Sequence, residues 1–144
     1  MQSIGKLSKA TGVKVPTIRY YEQIGLLPEA GRSAGNQRLY DMKARDRLTF
    51  IRHARDLGFS LNDIRELLSL SDQPDMPCSA ADIIARHQLV SVRKRITQLE
   101  ALQQELERML AQCAHGTISD CKVIEVLGNH EHCLHSHHCG LQRF

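Results

Sequence analysis

The sequence is poor in aromatic residues: it has no tryptophan, and only six of its 144 residues are Phe or Tyr. Because aromatic side chains favour strands, whereas Leu, Arg and Glu favour helices, this composition predicts a mainly α fold. No apolar stretch approaches the ~18 residues of a membrane-spanning helix. Residues 1–13 also lack the apolar run of a secretory signal. These absences predict a cytoplasmic protein with no membrane partner.

The five cysteines contain no C-x-x-C pair, and no alternation of strand and helix patterns accompanies them. Both absences argue against a thiol oxidoreductase, and we predict that the protein is not an enzyme. Thiols stay reduced in the cytosol, so these cysteines indicate metal binding or reactivity rather than disulfides.

Charge is distributed unevenly along the chain. Residues 1–58 carry 11 Lys or Arg against 5 Asp or Glu, whereas residues 59–144 carry 8 against 11. A basic half joined to a mildly acidic half indicates that only the first half binds a polyanion. A solvated charged surface would give the same count, so the charge alone does not decide.

The start of the basic half has the pattern of two short helices. Residues 3–11 form the first, with Ile4, Leu7 and Ala10 expected to face inward. The stretch VPTIRYYEQIG forms the second, with Pro16 suited to a first helical turn. Two short helices joined by a tight turn make a candidate helix-turn-helix, although many small helical proteins contain such a pair.

Glycine and proline punctuate residues 26–40, which predicts a loop or a short hairpin there. Helical spacing returns over residues 41–57. The sequence SLND at 60–63 is a capping-box pattern that opens another helix to about Leu70. The inward face of the helix at 41–57 is predicted to carry Ala44, Leu48, Ile51 and Ala54.

The longest helical pattern covers roughly residues 79–112, where apolar residues recur at alternating steps of four and three. This apolar row consists of Ala85, Leu89, Val92, Ile96, Leu99, Leu106 and Leu110, with Gln103 as its one polar interruption. Such a helix is ~50 Å long at about 1.5 Å per residue. The remaining chain could cover only part of it. We therefore predict a homodimer in which a second copy of the helix completes a coiled coil.

Cysteines flank both ends of this helix: Cys78 precedes it, and Cys113 and Cys121 follow it. Cys78 and Cys113 of one chain are separated by ~50 Å of helix and cannot share a metal ion. If the two helices pair antiparallel, Cys78 approaches the partner's Cys113 and the partner's Cys121. A two-fold dimer would then have one such site at each end.

Three thiolates suit a soft or borderline divalent ion such as zinc, cadmium, lead or mercury. Zinc usually takes four ligands, so it would need another from His115, from the C-terminal tail or from water. For each cysteine taken singly, a small buried hydrophobic residue is the alternative.

The C-terminal tail is rich in metal-binding side chains, with five histidines and two cysteines within residues 130–139. It could form a second metal site or only scavenge metal. A metal-buffering protein in which this tail is the functional part is therefore an alternative function. That alternative leaves the basic N-terminal half unexplained.

Three stretches of the chain resemble the MerR family of bacterial transcription regulators: IGKLSKATGVKVPTIRYYEQIGLLP, GRSAGNQRLY and RLTFIRHARDLGFSLNDIRELL. The resemblance implies a winged helix-turn-helix DNA-binding domain over residues 1–74. An antiparallel coiled-coil dimerisation helix would follow at 75–112. A C-terminal metal-binding loop and short helix would cover 113–128, and a flexible His/Cys-rich tail 129–144.

Carried over by position, the resemblance also implies which side chains contact DNA. Arg19 is the expected base contact, since a guanidinium can bond bidentately to guanine O6 and N7. The wing residues would contact phosphates, and Tyr21 would pack inside the domain. The predicted contacts are Thr17, Arg19 and Tyr20 on the second helix and Arg32, Arg38 and Tyr40 in the wing.

The cysteines place the chain within the divalent-metal branch of the family. Regulators of monovalent copper, silver or gold resemble this chain but carry serine in place of Cys78. The resemblance therefore implies Zn, Cd or Pb as effector, with mercury as an alternative. A two-zinc site is disfavoured because Cys113 is followed by Ala114, where zinc regulators have a second cysteine. The candidate metal ligands are Cys78, Cys113, Cys121 and His115.

The function that the resemblance implies is transcription activation. A homodimer would bind a two-fold operator in double-stranded promoter DNA, and the metal-bound dimer would distort it so that RNA polymerase can use the promoter of a metal-efflux gene. A regulator that senses a small organic molecule would have no use for Cys78.

Overall fold

The computed structural model describes residues 1–112 and 116–129, and it divides into two compact units, Met1–Gln88 and Leu89–Phe144. The described chain is mainly helical, with one small hairpin, as predicted. The elements are α1 (Ile4–Thr11), α2 (Val15–Gln23), β1 (Gly31–Arg32), β2 (Arg38–Leu39), α3 (Met42–Asp56), α4 (Leu61–Ser71), α5 (Ser79–Ala111), a short 3₁₀ turn (Ile118–Asp120) and α6 (Lys122–Gly128).

Helix α1 follows its predicted bounds, but its buried face differs by one residue. Leu7 is fully buried, whereas Ala10 is exposed and Thr11 takes the inward position, four residues after Leu7. The Thr11 hydroxyl donates to the Leu7 carbonyl at 2.8 Å, which satisfies its polar group within the core. Gly12 ends the helix with φ 74°, the left-handed conformation common after a helix C-terminus.

The segment after α2 is a hairpin rather than an open loop. Strands β1 and β2 are antiparallel, and Arg32 lies directly opposite Arg38. Asn36 adopts φ 62° in the turn, a conformation that asparagine tolerates better than most residues. Beyond β2, the backbone of Tyr40 pairs with that of Gln2 through two N–H···O bonds of 2.8 Å. The N-terminus therefore holds the base of this wing.

Helices α3 and α4 complete the first unit. Asp41 and Ser60 cap them, as each side chain accepts a hydrogen bond from a backbone N–H in the first turn. The predicted inward face of α3 is confirmed, because Leu48, Ile51 and Ala54 are buried. The core of the unit consists of Leu7, Val13, Ile18, Tyr21, Leu26, Leu27, Tyr40, Leu48, Ile51, Ala54, Ile64 and Leu68.

Helix α5 contains 33 residues, close to the predicted length. The first compact unit includes its opening turns, Ser79–Gln88, whereas we predicted that the DNA-binding domain ends at residue 74. The apolar row is exposed along the second unit: Leu89 46%, Ile96 48%, Leu99 53%, Leu106 59% and Leu110 65%. None of the described helices combines the length and apolar character that a membrane span requires.

Candidate nucleic-acid interface and metal-ligating residues

Helix α2 divides its residues between the core and solvent. Ile18 and Tyr21 are buried, which confirms the inward packing expected of Tyr21. Arg19 is exposed, Tyr20 is 47% exposed, and Thr17 in the first turn is half-buried. The helix therefore presents a basic and aromatic surface while its apolar side anchors it.

The three arginines predicted to contact DNA lie around one open groove of about 480 Å³. Arg19 comes from α2, whereas Arg32 and Arg38 come from the wing. None of the described residues lining this groove is acidic; the others are Ser3, Ile4, Asn36 and Gln37. Thr17 and Tyr20 lie outside it. Guanidiniums from two elements thus converge on a space that has no carboxylate in its lining.

The wing concentrates positive charge beyond what its own structure needs. Arg32 and Arg38 are directly opposite each other in the hairpin, a placement that is destabilising for like charges. Glu22 lies 3.6 Å from Arg38 Nε, and Arg32 donates to the Asn36 carbonyl at 3.3 Å. Glu22 therefore offsets the charge of Arg38 only, and a bound polyanion would relieve the remaining repulsion between the two guanidiniums.

Tyr40 lies in the core of the first unit. Its side chain is only 1% exposed, and its hydroxyl donates to the Glu22 carboxylate. Burial, together with that hydrogen bond, raises the pKa of Tyr40 above its ordinary value of 10.0. The contact of Tyr40 with phosphate therefore stays a prediction, and in this structure the ring packs in the core, where backbone pairing with Gln2 places it.

Glu22 is a residue of the candidate interface that the sequence motif alone does not single out. Its side chain is 8% exposed and lies between α2 and the wing, near both Arg38 and Tyr40. In the sequence, Glu22 is the last residue of the TIRYYE motif. The available signal was a single carboxylate within an otherwise basic helix-turn-helix. Glu22 fixes the wing relative to the helix that carries Arg19.

Other basic residues of the first unit bond to helix ends rather than to the groove. The last carbonyls of a helix lack partners within it, and arginines of α3 and α4 bond to such carbonyls at the ends of α1 and α2. Arg52 donates to Thr11 O, and Arg65 donates to Ile24 O at 3.0 Å. Arg47 donates to Leu26 O at 3.0 Å, in the turn that follows α2. The net charge of the N-terminal half therefore overstates the charge available to a polyanion.

Replacing Tyr40 by Phe should lower the stability of the fold, because it removes the hydrogen bond to Glu22. The carboxylate would lose a donor while it stays mostly buried, so we expect the free energy of unfolding to fall by about 1–3 kcal/mol. Urea unfolding monitored by circular dichroism measures this change. Tyr20→Phe is the matched control and should change stability by less than about 0.5 kcal/mol, because Tyr20 is 47% exposed.

The same variant has a defined pH dependence. The raised pKa of Tyr40 means that the folded chain holds this proton more tightly than the unfolded chain. Its stabilisation is present below the ordinary tyrosine pKa of about 10 and is lost as the pH rises above that value. The stability difference between wild type and Tyr40→Phe should therefore stay constant between about pH 7 and pH 9 and shrink as the pH rises above about 10. A difference that stays constant over the whole range would contradict the assignment.

Two of the predicted metal ligands lie within the described residues. Cys78 is exposed directly before α5, and its carbonyl accepts from the Asp82 N–H at 3.0 Å. Cys121 is half-buried directly before α6. Cys113, His115 and the tail at 130–139 lie outside the described residues. Over residues 1–112 and 116–129, no three His, Cys, Asp or Glu side chains form a group that could hold a metal ion.

Comparison with known proteins gives two family matches. Residues 2–71 match the MerR HTH family regulatory protein description, and residues 45–109 match MerR, DNA binding. The HTH-type transcriptional regulator ZntR of Escherichia coli K12 is 40% identical over 131 residues, covering 88% of this chain and 92% of its own.

The descriptions of two further similar proteins name a metal. The mercuric resistance operon regulatory protein of Serratia marcescens is 39% identical over 127 residues, 87% of this chain and 86% of its own. The crystal structure of the transcription regulator PbrR691 from Ralstonia metallidurans CH34 in complex with lead(II) is 38% identical with a TM-score of 0.74. That match covers 88% of this chain and 99% of the other.

Proposed function

Because the chain belongs to the MerR family of transcriptional regulators, we propose that it is a metal-responsive activator that acts as a homodimer on a two-fold promoter operator. Zinc, cadmium or lead is the effector in this proposal. The observation that carries it is the exposed apolar row of α5, which has a candidate thiolate ligand beyond each end, Cys78 and Cys121.

Dimerisation is the first step of the proposal. Five large apolar side chains in the row are between 46% and 65% exposed. A contiguous exposed apolar surface of this kind marks an interaction site. The alternating steps of four and three are those of a coiled coil, so a second copy of α5 is the occupant that matches the row along its length.

The metal site is completed across the dimer in this proposal. Cys78 lies before a helix of 33 residues, and Cys121 lies after it. At about 1.5 Å per residue, that helix separates its own ends by ~50 Å. An antiparallel partner would bring Cys78 to the partner's Cys113 and the partner's Cys121. Thiolates are the donors that soft and borderline divalent ions prefer, and the bound ion would cross-link the two protomers.

Similar proteins are described with different metals. The ligands of the site, rather than family membership, must therefore determine which ion binds. The similar structure described with lead(II) supports a lead-type site, and the similar mercuric resistance regulator supports the mercury alternative. Lead and mercury are satisfied by three thiolates, whereas zinc would recruit His115 or water as a fourth ligand. Ranking these ions therefore tests the coordination number of the site.

DNA binding would use the groove lined by Arg19, Arg32 and Arg38. In each protomer the α2 helix would enter the major groove of one half-site while the wing contacts the adjacent backbone. Metal binding would favour a dimer state that distorts the operator and so realigns the promoter for RNA polymerase. A distortion costs on the order of 1–6 kcal/mol, which differential metal affinity between two protein states can supply.

Selection from a random pool of duplex DNA tests this proposal directly. Reduced protein should enrich a two-fold-symmetric site, both without metal and with Zn(II), Cd(II) or Pb(II). With the metal that binds most tightly, in vitro transcription from a promoter containing that site should increase. Tight metal binding without any sequence enrichment would instead identify a metal-buffering protein that uses the tail.

Arg19→Ala should weaken binding to the selected duplex by roughly 5- to 150-fold per half-site, because a bidentate base contact contributes about 1–3 kcal/mol. Discrimination at one base pair of each half-site should also relax. Arg93→Ala is the matched control, since Arg93 is exposed on α5 in the second unit. A uniform loss of affinity across all sequences would mean that Arg19 contacts a phosphate instead.

A further inference from the structure

A hydrogen bond connects the start of the long helix α5 to the residue that follows α3. Gln88 on α5 donates through Nε2 to the carbonyl of Leu57 at 3.0 Å. Leu57 is the C-cap residue directly after α3. One turn earlier on the same face of α5, Ile84 is buried. Gln88 therefore directs its amide at a carbonyl that α3 itself cannot satisfy.

A side chain at position 58 would displace the Gln88 amide from this corner. Gly58 follows Leu57 with φ 84°, and a Cβ atom built there would lie 2.6 Å from Gln88 Nε2. By contrast, Gly25 has a similar φ of 75°, yet the nearest side-chain atom to its Cβ position is 3.9 Å away. The guanidinium of Arg52 approaches the Cβ position of Gly12 in the same way, so the left-handed glycines that follow α1 and α3 each receive a side chain from another helix.

We propose that Gln88 is a positioning residue that transmits the metal-bound state of α5 to the helix-turn-helix. The inference rests on the proposed function, because it names the contact through which metal binding would act on the DNA-binding helices. Cys78 directly precedes α5, and Gln88 bonds to the end of α3. Helix α3 in turn carries Arg52, which bonds to the Thr11 carbonyl at the end of α1. The first turns of α5 and these two hydrogen bonds therefore connect Cys78 to the end of α1.

A Gln88 variant should therefore bind metal and DNA as wild type does, but the metal should distort the DNA less. Gln88 does not line the arginine-lined groove and is not a candidate metal ligand, so its loss should spare both binding steps. A net hydrogen bond of this kind corresponds to a factor of ~2–10 in an equilibrium constant. We expect that factor in the equilibrium between undistorted and distorted DNA in the metal-bound complex.

The test uses the full chain and a duplex selected as above, with 2-aminopurine at its centre to report unstacking. Gln88→Met removes the donor but keeps the length of the side chain, and Gln88→Lys restores a donor. Gln104→Met is the matched control, since Gln104 is exposed on the same helix. Metal affinity, duplex affinity and the metal-driven fluorescence change are measured for each protein, with Zn(II) or Pb(II) as the metal probe.

The proposal predicts that Gln88→Met keeps both affinities within about twofold of wild type while the distortion equilibrium falls ~2- to 10-fold. Gln88→Lys should recover part of that loss. A Gln88→Met protein that distorts DNA as wild type does would overturn the inference. So would an equal loss of duplex affinity with and without metal, which indicates a purely structural role. If wild type itself shows no metal-driven distortion, the activation mechanism fails, and this inference fails with it.

Discussion

Cys78→Ser should abolish tight metal binding while leaving the chain folded and able to bind DNA. Cys78 is exposed and lies outside the buried core, so removal of its sulfur should not destabilise the fold. We expect wild type to bind about two ions per dimer, one at each two-fold-related site. The variant should retain few or none at the same metal concentration.

The expected size of this effect follows from the number of ligands. Thiolate-rich sites bind zinc with apparent free energies of about 10–16 kcal/mol, of which one ligand in three represents about 3–5 kcal/mol. The affinity should therefore fall by roughly 10²- to 10⁴-fold. Competition with a chromophoric chelator under reducing conditions measures it. A double replacement of Cys133 and Cys139 by serine is the matched control, and it should keep the two tight sites.

Mixing variants distinguishes a site shared between protomers from one within a chain. Neither Cys78→Ser nor Cys121→Ser should bind tightly alone. Their heterodimer, however, combines the intact Cys78 of one chain with the intact Cys113 and Cys121 of the other. A re-equilibrated equal mixture should then recover about half an ion per dimer on average. No recovery would exclude the shared site, and unchanged binding by Cys78→Ser would move the metal to the tail.

The local elements were predictable from the sequence because local chemistry determines them. Ser60 caps α4 where the SLND pattern predicts a helix start, and Gly12 ends α1 in the left-handed conformation directly after the predicted residues 3–11. The inward face of α3 follows from spacing alone. Ala10 was misassigned because alanine is compatible with either face of a short helix, whereas Thr11 bonds back to Leu7 and can be buried.

At the candidate DNA surface, long-range contacts that spacing does not encode decide which side chains are buried. Tyr40 belongs to a motif that suggests a surface role, but its pairing with Gln2 turns the ring inward. Likewise, the bonds of Arg52 and Arg65 connect positions 41 residues apart. A count of positive charge assigns such arginines to solvent or DNA, because it cannot identify the carbonyls at the helix ends.

Leu99→Lys should dissociate the dimer. Leu99 lies within the apolar row and is 53% exposed in the single chain. Each dimer would lose two leucines from its interface, at about 1.5–3 kcal/mol each, which raises the dimer dissociation constant by roughly 10²- to 10⁴-fold. Sedimentation equilibrium across micromolar concentrations measures this change. Because the metal site is shared in our proposal, tight metal binding should be lost together with the dimer.

Val90→Lys tests whether dissociation is specific to the apolar row or follows from the loss of any exposed apolar side chain of α5. Val90 is 63% exposed on the same helix but lies outside the row, so its replacement should leave the dimer intact. The converse change is Gln103→Leu, which fills the polar interruption and should tighten the dimer, since one polar residue in a coiled-coil core lowers stability while it fixes register. Equal effects of Leu99→Lys and Val90→Lys would refute a coiled coil built on this row. Weaker metal response in a tighter Gln103→Leu dimer would show that Gln103 holds the register that brings the cysteines together.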